Sequence, residues 1–198
     1  MKVAQVKCPR CNQPSYSKLK DSVVFCDNCR TMHTITDAGV MVLDYEIGDF
    51  GKELPLKKFH MPFWRLFSNV TIFSQQVSGA WAGKLLSAAS GPAGGSGGTL
   101  FIFVPAIELP PDIYKRMAQD YTANPPQYRG MDRFSFERLP VMVDELAARQ
   151  LADFLILSFE AEKPGVLQDI KYQVEVQRSK LVYLPFYQDA EGRWLPGM

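Results

Sequence analysis

The stretch Cys8-Pro9-Arg10-Cys11 is followed, after fourteen further residues, by Cys26-Asp27-Asn28-Cys29, and these two Cys-x-x-Cys pairs contain all four cysteines of the chain. A Cys-x-x-Cys turn directs two sulfur atoms at one point, so two such turns supply four thiolates. Four thiolates complete the tetrahedral shell of a structural zinc ion and leave no position open for a substrate. The sequence therefore predicts one structural zinc site formed by Cys8, Cys11, Cys26 and Cys29. The alternatives are a redox or catalytic use of these cysteines, or the replacement of one ligand by His33.

Short runs of strand-forming residues flank both cysteine pairs and surround a turn at Asp37-Ala38-Gly39. Together with the cysteines and Pro9, they make residues 1–45 resemble the zinc ribbon superfamily, which implies a three-stranded module held by one zinc ion. Asn12 departs from the pattern, because such turns often carry glycine there, but asparagine is the next most tolerant of a left-handed backbone. The resemblance does not specify a function, since ribbons occur in transcription factors, ribosomal proteins, enzymes and adaptors.

The composition is that of an ordinary globular protein, with 198 residues of which 46% are hydrophobic and 22% charged. No apolar run reaches the roughly 18–20 residues that cross a bilayer, and the first residues lack the apolar segment of a signal peptide. We therefore expect a cytoplasmic protein with reduced thiols, whereas in a secreted protein the same cysteines would form two disulfides. The net charge of +1 argues against a strongly nucleic-acid-binding protein, although residues 1–35 carry six Lys or Arg against two Asp or Glu.

We expect an α+β fold in which the zinc ribbon over 1–45 is followed by a polar linker over 46–60 and an α/β domain over 61–198. This domain is predicted to contain a mixed or antiparallel sheet, two main helices and a flexible glycine-rich loop at 90–98. The elements expected in it are strands over 61–74, 99–104, 170–177 and 179–187 and helices over 110–124 and 140–159. Residues 154–159 also fit a strand.

Three strand-like runs carry a proline at a similar junction, namely His60-Met61-Pro62-Phe63-Trp64, Phe103-Val104-Pro105-Ala106-Ile107 and Tyr183-Leu184-Pro185-Phe186-Tyr187, and the first and third also share two aromatic residues after the proline. Proline has no N–H to donate to a strand ladder, so we expect Pro62, Pro105 and Pro185 at sheet edges, strand ends or bulges. The likeness is either a duplicated strand motif or the result of chance and simple packing.

The sequence contains no recognisable catalytic constellation. Its two histidines are 27 residues apart, every cysteine belongs to the predicted metal site, and no nucleophile-elbow or His-Glu-x-x-His motif is present. The glycines near Lys84 do not have the spacing of a phosphate-binding loop. An enzyme is our third hypothesis, and because no local motif supplies a catalytic site, it requires carboxylates that only the fold brings together.

The first hypothesis is a non-catalytic adaptor or accessory subunit that binds a protein partner, with a variant in which residues 75–90 rest on a membrane surface. The second is nucleic-acid binding through the basic ribbon surface. Arginine and aromatic residues also alternate over 127–139, a pattern that holds single strands by stacking or that surrounds an ordinary packed loop. The candidate partner-binding residues are Arg10, Arg30, Trp64, Trp81, Phe186, Tyr187 and Trp194.

Overall fold

The computed structural model describes residues 6–17, 20–72, 96–161 and 172–198. The strands are β1 Val6–Lys7, β2 Pro14–Ser15, β3 Val23–Phe25, β4 Met32–Thr36, β5 Gly39–Leu43, β6 Tyr45–Gly48, β7 Lys57–Ile72, β8 Ser96–Pro105, β9 Gly130–Met131, β10 Glu137–Arg138, β11 Tyr172–Gln188 and β12 Trp194–Pro196. The helices are α1 Pro111–Ala123 and α2 Glu145–Ala161. Among the described residues, two helices beside small antiparallel sheets and one larger mixed sheet confirm the predicted α+β class. Neither described helix is long and apolar enough to cross a membrane.

Two long antiparallel strands, β7 and β11, form the centre of a seven-stranded mixed sheet. They pair from Lys57 opposite Gln188 to Ile72 opposite Tyr172, with one register shift near Arg178. The outer side of β7 carries antiparallel β8 and parallel β10, and the outer side of β11 carries parallel β6 and antiparallel β12. Aromatic and β-branched residues are frequent in both central strands and favour the extended backbone.

Pro105 is the last residue of β8 and lies at a strand end as expected, whereas Pro62 and Pro185 lie inside the two central strands, so the expectation is wrong for these two prolines. The two proline-containing runs pair directly with each other. The carbonyl oxygen of Pro62 accepts a hydrogen bond from the backbone of Ala106, and that of Pro185 accepts one from Gly197, both at 2.9 Å. Both carbonyls thus point away from the β7–β11 ladder, and so do the ring nitrogens, because N and C=O of one residue lie on the same side of an antiparallel strand. The N–H group that Pro62 lacks would point to the outer side of β7, between the residues that pair with β10 and those that pair with β8. The one that Pro185 lacks would point to the outer side of β11, between the residues that pair with β6 and those that pair with β12. The prolines therefore remove no hydrogen bond between β7 and β11.

The main sheet carries a buried cluster on each face. On one face, Trp64 and Tyr183 belong to the same cluster as Leu155 of α2. On the other face, the ring of Phe63 lies 5.4 Å from that of Tyr121 in α1. Burying one such large apolar side chain typically contributes about 1.5–3 kcal/mol, so the two clusters account for much of the stability of the sheet.

The cysteine-bearing segment folds into two small sheets, β1–β2 and β3–β4–β5, and the second of these shares the first cluster with the main sheet. Val23, Met32 and Leu43 are buried together with Tyr183, and the Tyr183 hydroxyl lies 3.7 Å from the sulfur of Met32. Within the predicted linker, β6 pairs with β11 and the first residues of β7 are already strand. The division into 1–45, 46–60 and 61–198 stays a prediction.

Some of the sequence predictions fall outside the described residues. Trp81, the membrane-contact stretch 75–90 and residues 90–95 of the predicted glycine-rich loop are among them, whereas Ser96 to Gly98 begin β8.

Candidate metal centre and the adjoining groove

The two Cys-x-x-Cys turns have the same backbone hydrogen bonds. Asn12 N donates to Cys8 O at 2.9 Å in the first turn, and Arg30 N donates to Cys26 O at 2.7 Å in the second. In each turn the N–H of the first cysteine also donates to the carbonyl five residues later, at 2.9 Å. Asn12 and Arg30 both have a φ of 59°, in the left-handed region. Asn12 thus adopts the backbone that asparagine tolerates, and the corresponding position of the second turn is occupied by an arginine.

These turns bring the four cysteine sulfurs together, within 4.8 Å of one another. The sulfurs of Cys8 and Cys29 are 3.5 Å apart and those of Cys11 and Cys26 are 3.6 Å apart, and none of the four is in a disulfide. Four thiolates that each bind one zinc ion at about 2.3 Å would be about 3.8 Å apart, so the cluster has the dimensions of a tetrahedral site. The four cysteines could therefore bind a metal ion.

Hydrogen bonds favour the ionised form of two of these thiols. The Thr31 hydroxyl lies 3.1 Å from the Cys29 sulfur, and this contact, with the Thr31 backbone, lowers the pKa of Cys29 to about 6 despite the opposing effect of burial. Burial also opposes ionisation of Cys26, but hydrogen bonds from the backbone of Cys29 and the side chain of Ser15 outweigh it and lower the Cys26 pKa. The thiolate is the form that binds a metal, so these two shifts favour the binding of a cation. The pKa of Cys11 is raised instead, because hydrogen bonds from the Gln13 backbone and the Asn28 side chain are outweighed by burial and by its contacts with the Cys29 and Cys26 sulfurs.

His33 does not take part in the cluster, which contains the four sulfurs and no histidine nitrogen. It lies fully buried in β4, opposite Val24 on one side and Val42 on the other. Burial in these surroundings lowers its pKa and keeps the imidazole neutral.

The other predicted site residues divide between the surface and the core. Arg10 and Arg30 are exposed, and Trp194 is half-buried. Trp64, Phe186 and Tyr187 are buried, and the Trp64 indole donates to the carbonyl of Val143 at 2.7 Å. In this structure these three aromatic side chains pack inside the protein and present no surface to a partner.

A groove of about 470 Å³ lies beside the second cysteine turn. Tyr16 and Arg30 line it from the cysteine-bearing segment, and Arg133 and Phe136 line it from the segment between β9 and β10. The arginines of both segments are visible in the sequence, but only the fold brings them together. No local sequence signal indicates that they share one groove.

A second, larger hollow of about 860 Å³ surrounds Glu46 and is lined by residues of β6, β7 and β8 and by residues 125–128. The Glu46 carboxylate accepts hydrogen bonds from Tyr128 at 2.6 Å, Arg65 at 3.0 Å and Lys180 at 3.1 Å. Although partial burial opposes ionisation, these partners lower the pKa of Glu46 to about 2. A general base or acid works best with a pKa near the working pH, so Glu46 is a permanently ionised structural group rather than a proton carrier.

Comparison with known proteins assigns no family to this chain. Searches against family models, curated proteins and solved structures found no match to this chain.

Proposed function

We propose that the four cysteines hold one structural zinc ion in a zinc-ribbon module, and that the chain is a non-catalytic adaptor or accessory subunit. The spacing of the four sulfurs supports a closed metal shell. Thiolate ligands need a reducing compartment, so a cytoplasmic location is part of this proposal.

The observation that carries the adaptor proposal is the outer edge of the β3–β4–β5 sheet. Within the described residues no strand pairs with the outer side of β5. Val40, Met41 and Val42 of this strand are each about half exposed, at 49%, 48% and 60%, and Ile35, opposite Val40, is 54% exposed. Proteins normally protect such an edge with charges, proline or a covering element. In the part of the chain that the structure describes, β5 is an apolar strand with exposed side chains and without a strand partner on its outer side.

The chemistry of this edge fits an extended segment of another protein. The added strand would pair its backbone N–H and C=O groups with those of β5 and place alternate apolar side chains against Val40 and Val42. Zinc would act indirectly, because it fixes the turn that leads into β4, the strand next to β5. A second copy of this chain joined edge to edge is the competing occupant, and the experiment must separate the two.

The test is affinity capture from nuclease-treated lysate with zinc-loaded protein, comparing the wild type with Val42→Lys. Leu146→Lys is the matched control, because Leu146 is an apolar residue that is 68% exposed and belongs to α2 and not to the β3–β4–β5 sheet. We expect at least one protein to be retained by the wild type and by Leu146→Lys and to be lost with Val42→Lys. Equal recovery with all three proteins would contradict the proposal. Light scattering that shows a wild-type dimer converted to monomer by Val42→Lys would instead identify a second copy as the occupant.

A further inference from the structure

We propose that the groove beside the second cysteine turn binds single-stranded nucleic acid, with Arg30 and Arg133 contacting phosphates and Tyr16 providing a stacking surface for a base. The groove is lined by two parts of the chain that are far apart in sequence, so its composition is a property of the fold. The inference is independent of the strand edge at β5 and is tested separately from it.

The charges of the groove favour an anionic ligand. Arg30 and Arg133 are exposed, and neither forms an ion pair with a described residue. The acidic lining residue Glu137 already lies 3.8 Å from the amine of Lys57, which offsets its charge. Asp27, which also lines the groove, offsets one of the two arginines, so the attraction for an anion is real but moderate.

The aromatic side chains of the groove favour bases over a simple anion. Tyr16 is 75% exposed, and Phe136 is 41% exposed. The Phe136 ring is held in place by an edge-to-face contact with Phe50 at 5.2 Å and by the Lys58 amine 4.5 Å from its centre. A ring that is fixed in orientation and partly open to solvent offers a face to a planar ligand at low entropic cost. Alternating cations and aromatic faces are the features with which proteins hold single strands.

The backbone of Arg30 provides a further argument. Its φ of 59° is a conformation that glycine adopts freely and that costs other residues roughly 1–2 kcal/mol. Glycine at this position would give the same turn with less strain, yet the chain places a long cationic side chain here, at the lining of the groove. Residues that break a local rule are frequent at functional sites.

A duplex and an acidic peptide fit these features less well than a single strand. Bases of a duplex are stacked on each other and cannot reach Tyr16 or Phe136, whereas unpaired bases can. An acidic peptide would use the two arginines but would leave both aromatic faces without a partner.

The experiment is fluorescence anisotropy with a fluorescein-labelled twelve-nucleotide oligo(dT) or oligo(U), titrated with the zinc-loaded full chain. Two phosphate contacts on a single strand predict a slope of log K against log salt of about −1.4, which is roughly a sevenfold loss of affinity between 50 and 200 mM salt. Arg133→Ala should halve this slope, and Tyr16→Ala should weaken binding about fivefold or more through the lost stacking. The zinc content of each variant, measured in parallel, shows that the metal site is intact.

Arg116→Ala is the matched control, because Arg116 is an exposed arginine of α1 that does not line the groove. Its affinity and salt slope should equal those of the wild type. The proposal is overturned if the oligonucleotide does not bind at 50 mM salt, or if Arg116→Ala weakens binding as much as Arg133→Ala. It is also overturned if a polyglutamate peptide of equal charge binds as tightly as the oligonucleotide and Tyr16→Ala has no effect on either, because that result would identify an acidic peptide as the ligand.

Discussion

Replacing Asp21 by alanine should strongly destabilise the protein, because this residue connects the cysteine-bearing segment to the main sheet. The Asp21 side chain is fully buried and accepts hydrogen bonds from Arg138 at 2.6 Å, from the backbone of Val141 at 2.9 Å and from the backbone of Val23 at 3.3 Å. Arg138 is only 8% exposed and also donates to the Tyr183 hydroxyl at 3.0 Å. The ion pair therefore lies at the junction of β3, β10 and the central strand β11.

The expected loss follows from what the substitution leaves behind. Without Asp21, the guanidinium of Arg138 keeps its charge in a site that excludes most water, and breaking a buried pair in this way typically costs 3–5 kcal/mol. The two backbone N–H groups also lose their acceptor, at about 1 kcal/mol or more each where water cannot replace it. Since the new space at position 21 admits some water, we expect a total loss of about 4 kcal/mol. That is a large part of the 5–15 kcal/mol by which domains are usually stable.

Urea unfolding of the zinc-loaded protein, followed by tryptophan fluorescence, measures this loss. Glu137→Ala is the control, because it removes a neighbouring ion pair with Lys57 that is exposed and 3.8 Å long, and it should change the stability by less than about 1 kcal/mol. The double variant Asp21→Leu with Arg138→Met removes both buried charges, so much of the stability should return.

A loss of less than 1 kcal/mol for Asp21→Ala, or one equal to that of Glu137→Ala, would refute this reasoning. Either result would mean that the pair is hydrated and that the cysteine-bearing segment does not depend on it for its attachment to the sheet.

Three further predictions concern pH, metal and backbone strain. Burial lowers the pKa of His60 from 6.5 to about 4, so the unfolded chain binds a proton first as the pH falls. The free energy of unfolding should therefore drop by up to about 3 kcal/mol between pH 6.5 and 4. Urea titrations of the wild type and of His60→Leu should differ in this pH range and run parallel above it. Removing the metal with a chelator, or by Cys26→Ser, should lower the unfolding midpoint of the whole chain and not only of its first residues, because Met32 shares a core with the main sheet; an unchanged tryptophan-fluorescence midpoint would contradict this. Arg30→Gly should raise the melting temperature by about 2–4 °C through the release of roughly 1 kcal/mol of backbone strain, whereas Arg30→Ala should not, as calorimetry can show.

The metal centre could be predicted from the sequence because its determinants are local. Two Cys-x-x-Cys turns each fix their own pair of sulfurs, and the fold only has to bring the two turns together. The two helices are also local in origin, since the spacing of apolar residues marks them. α1 begins directly after Pro110, whereas α2 begins at Glu145, five residues after the predicted start at Pro140. Even the ambiguous stretch 154–159 follows the helical pattern of the residues before it and forms part of α2.

Strand pairing and burial depend on distant residues and could not be read in the same way. The sequence of β6 is short and ends in Gly48, which is typical of a connection, yet the strand pairs with Leu181 to Tyr183 more than 130 positions later. Likewise, Trp64 and Phe186 fit both a binding surface and a core. Which of these they form depends on α1 and α2, which cover the two faces of the sheet, and the sequence does not specify that arrangement.

The two cysteine turns differ in the residue that adopts the left-handed backbone. Both need a left-handed residue four positions after the first cysteine, and Asn12 satisfies this need with a residue known to tolerate it. Arg30 meets the same backbone demand with a residue that does not, and nothing in the metal centre requires its guanidinium. The difference between the turns is explained if the first has only a structural task and the second also presents a cation to the groove. If so, Arg30→Gly should stabilise the protein and weaken its binding to the oligonucleotide at once, a combination that a purely structural role for Arg30 does not produce.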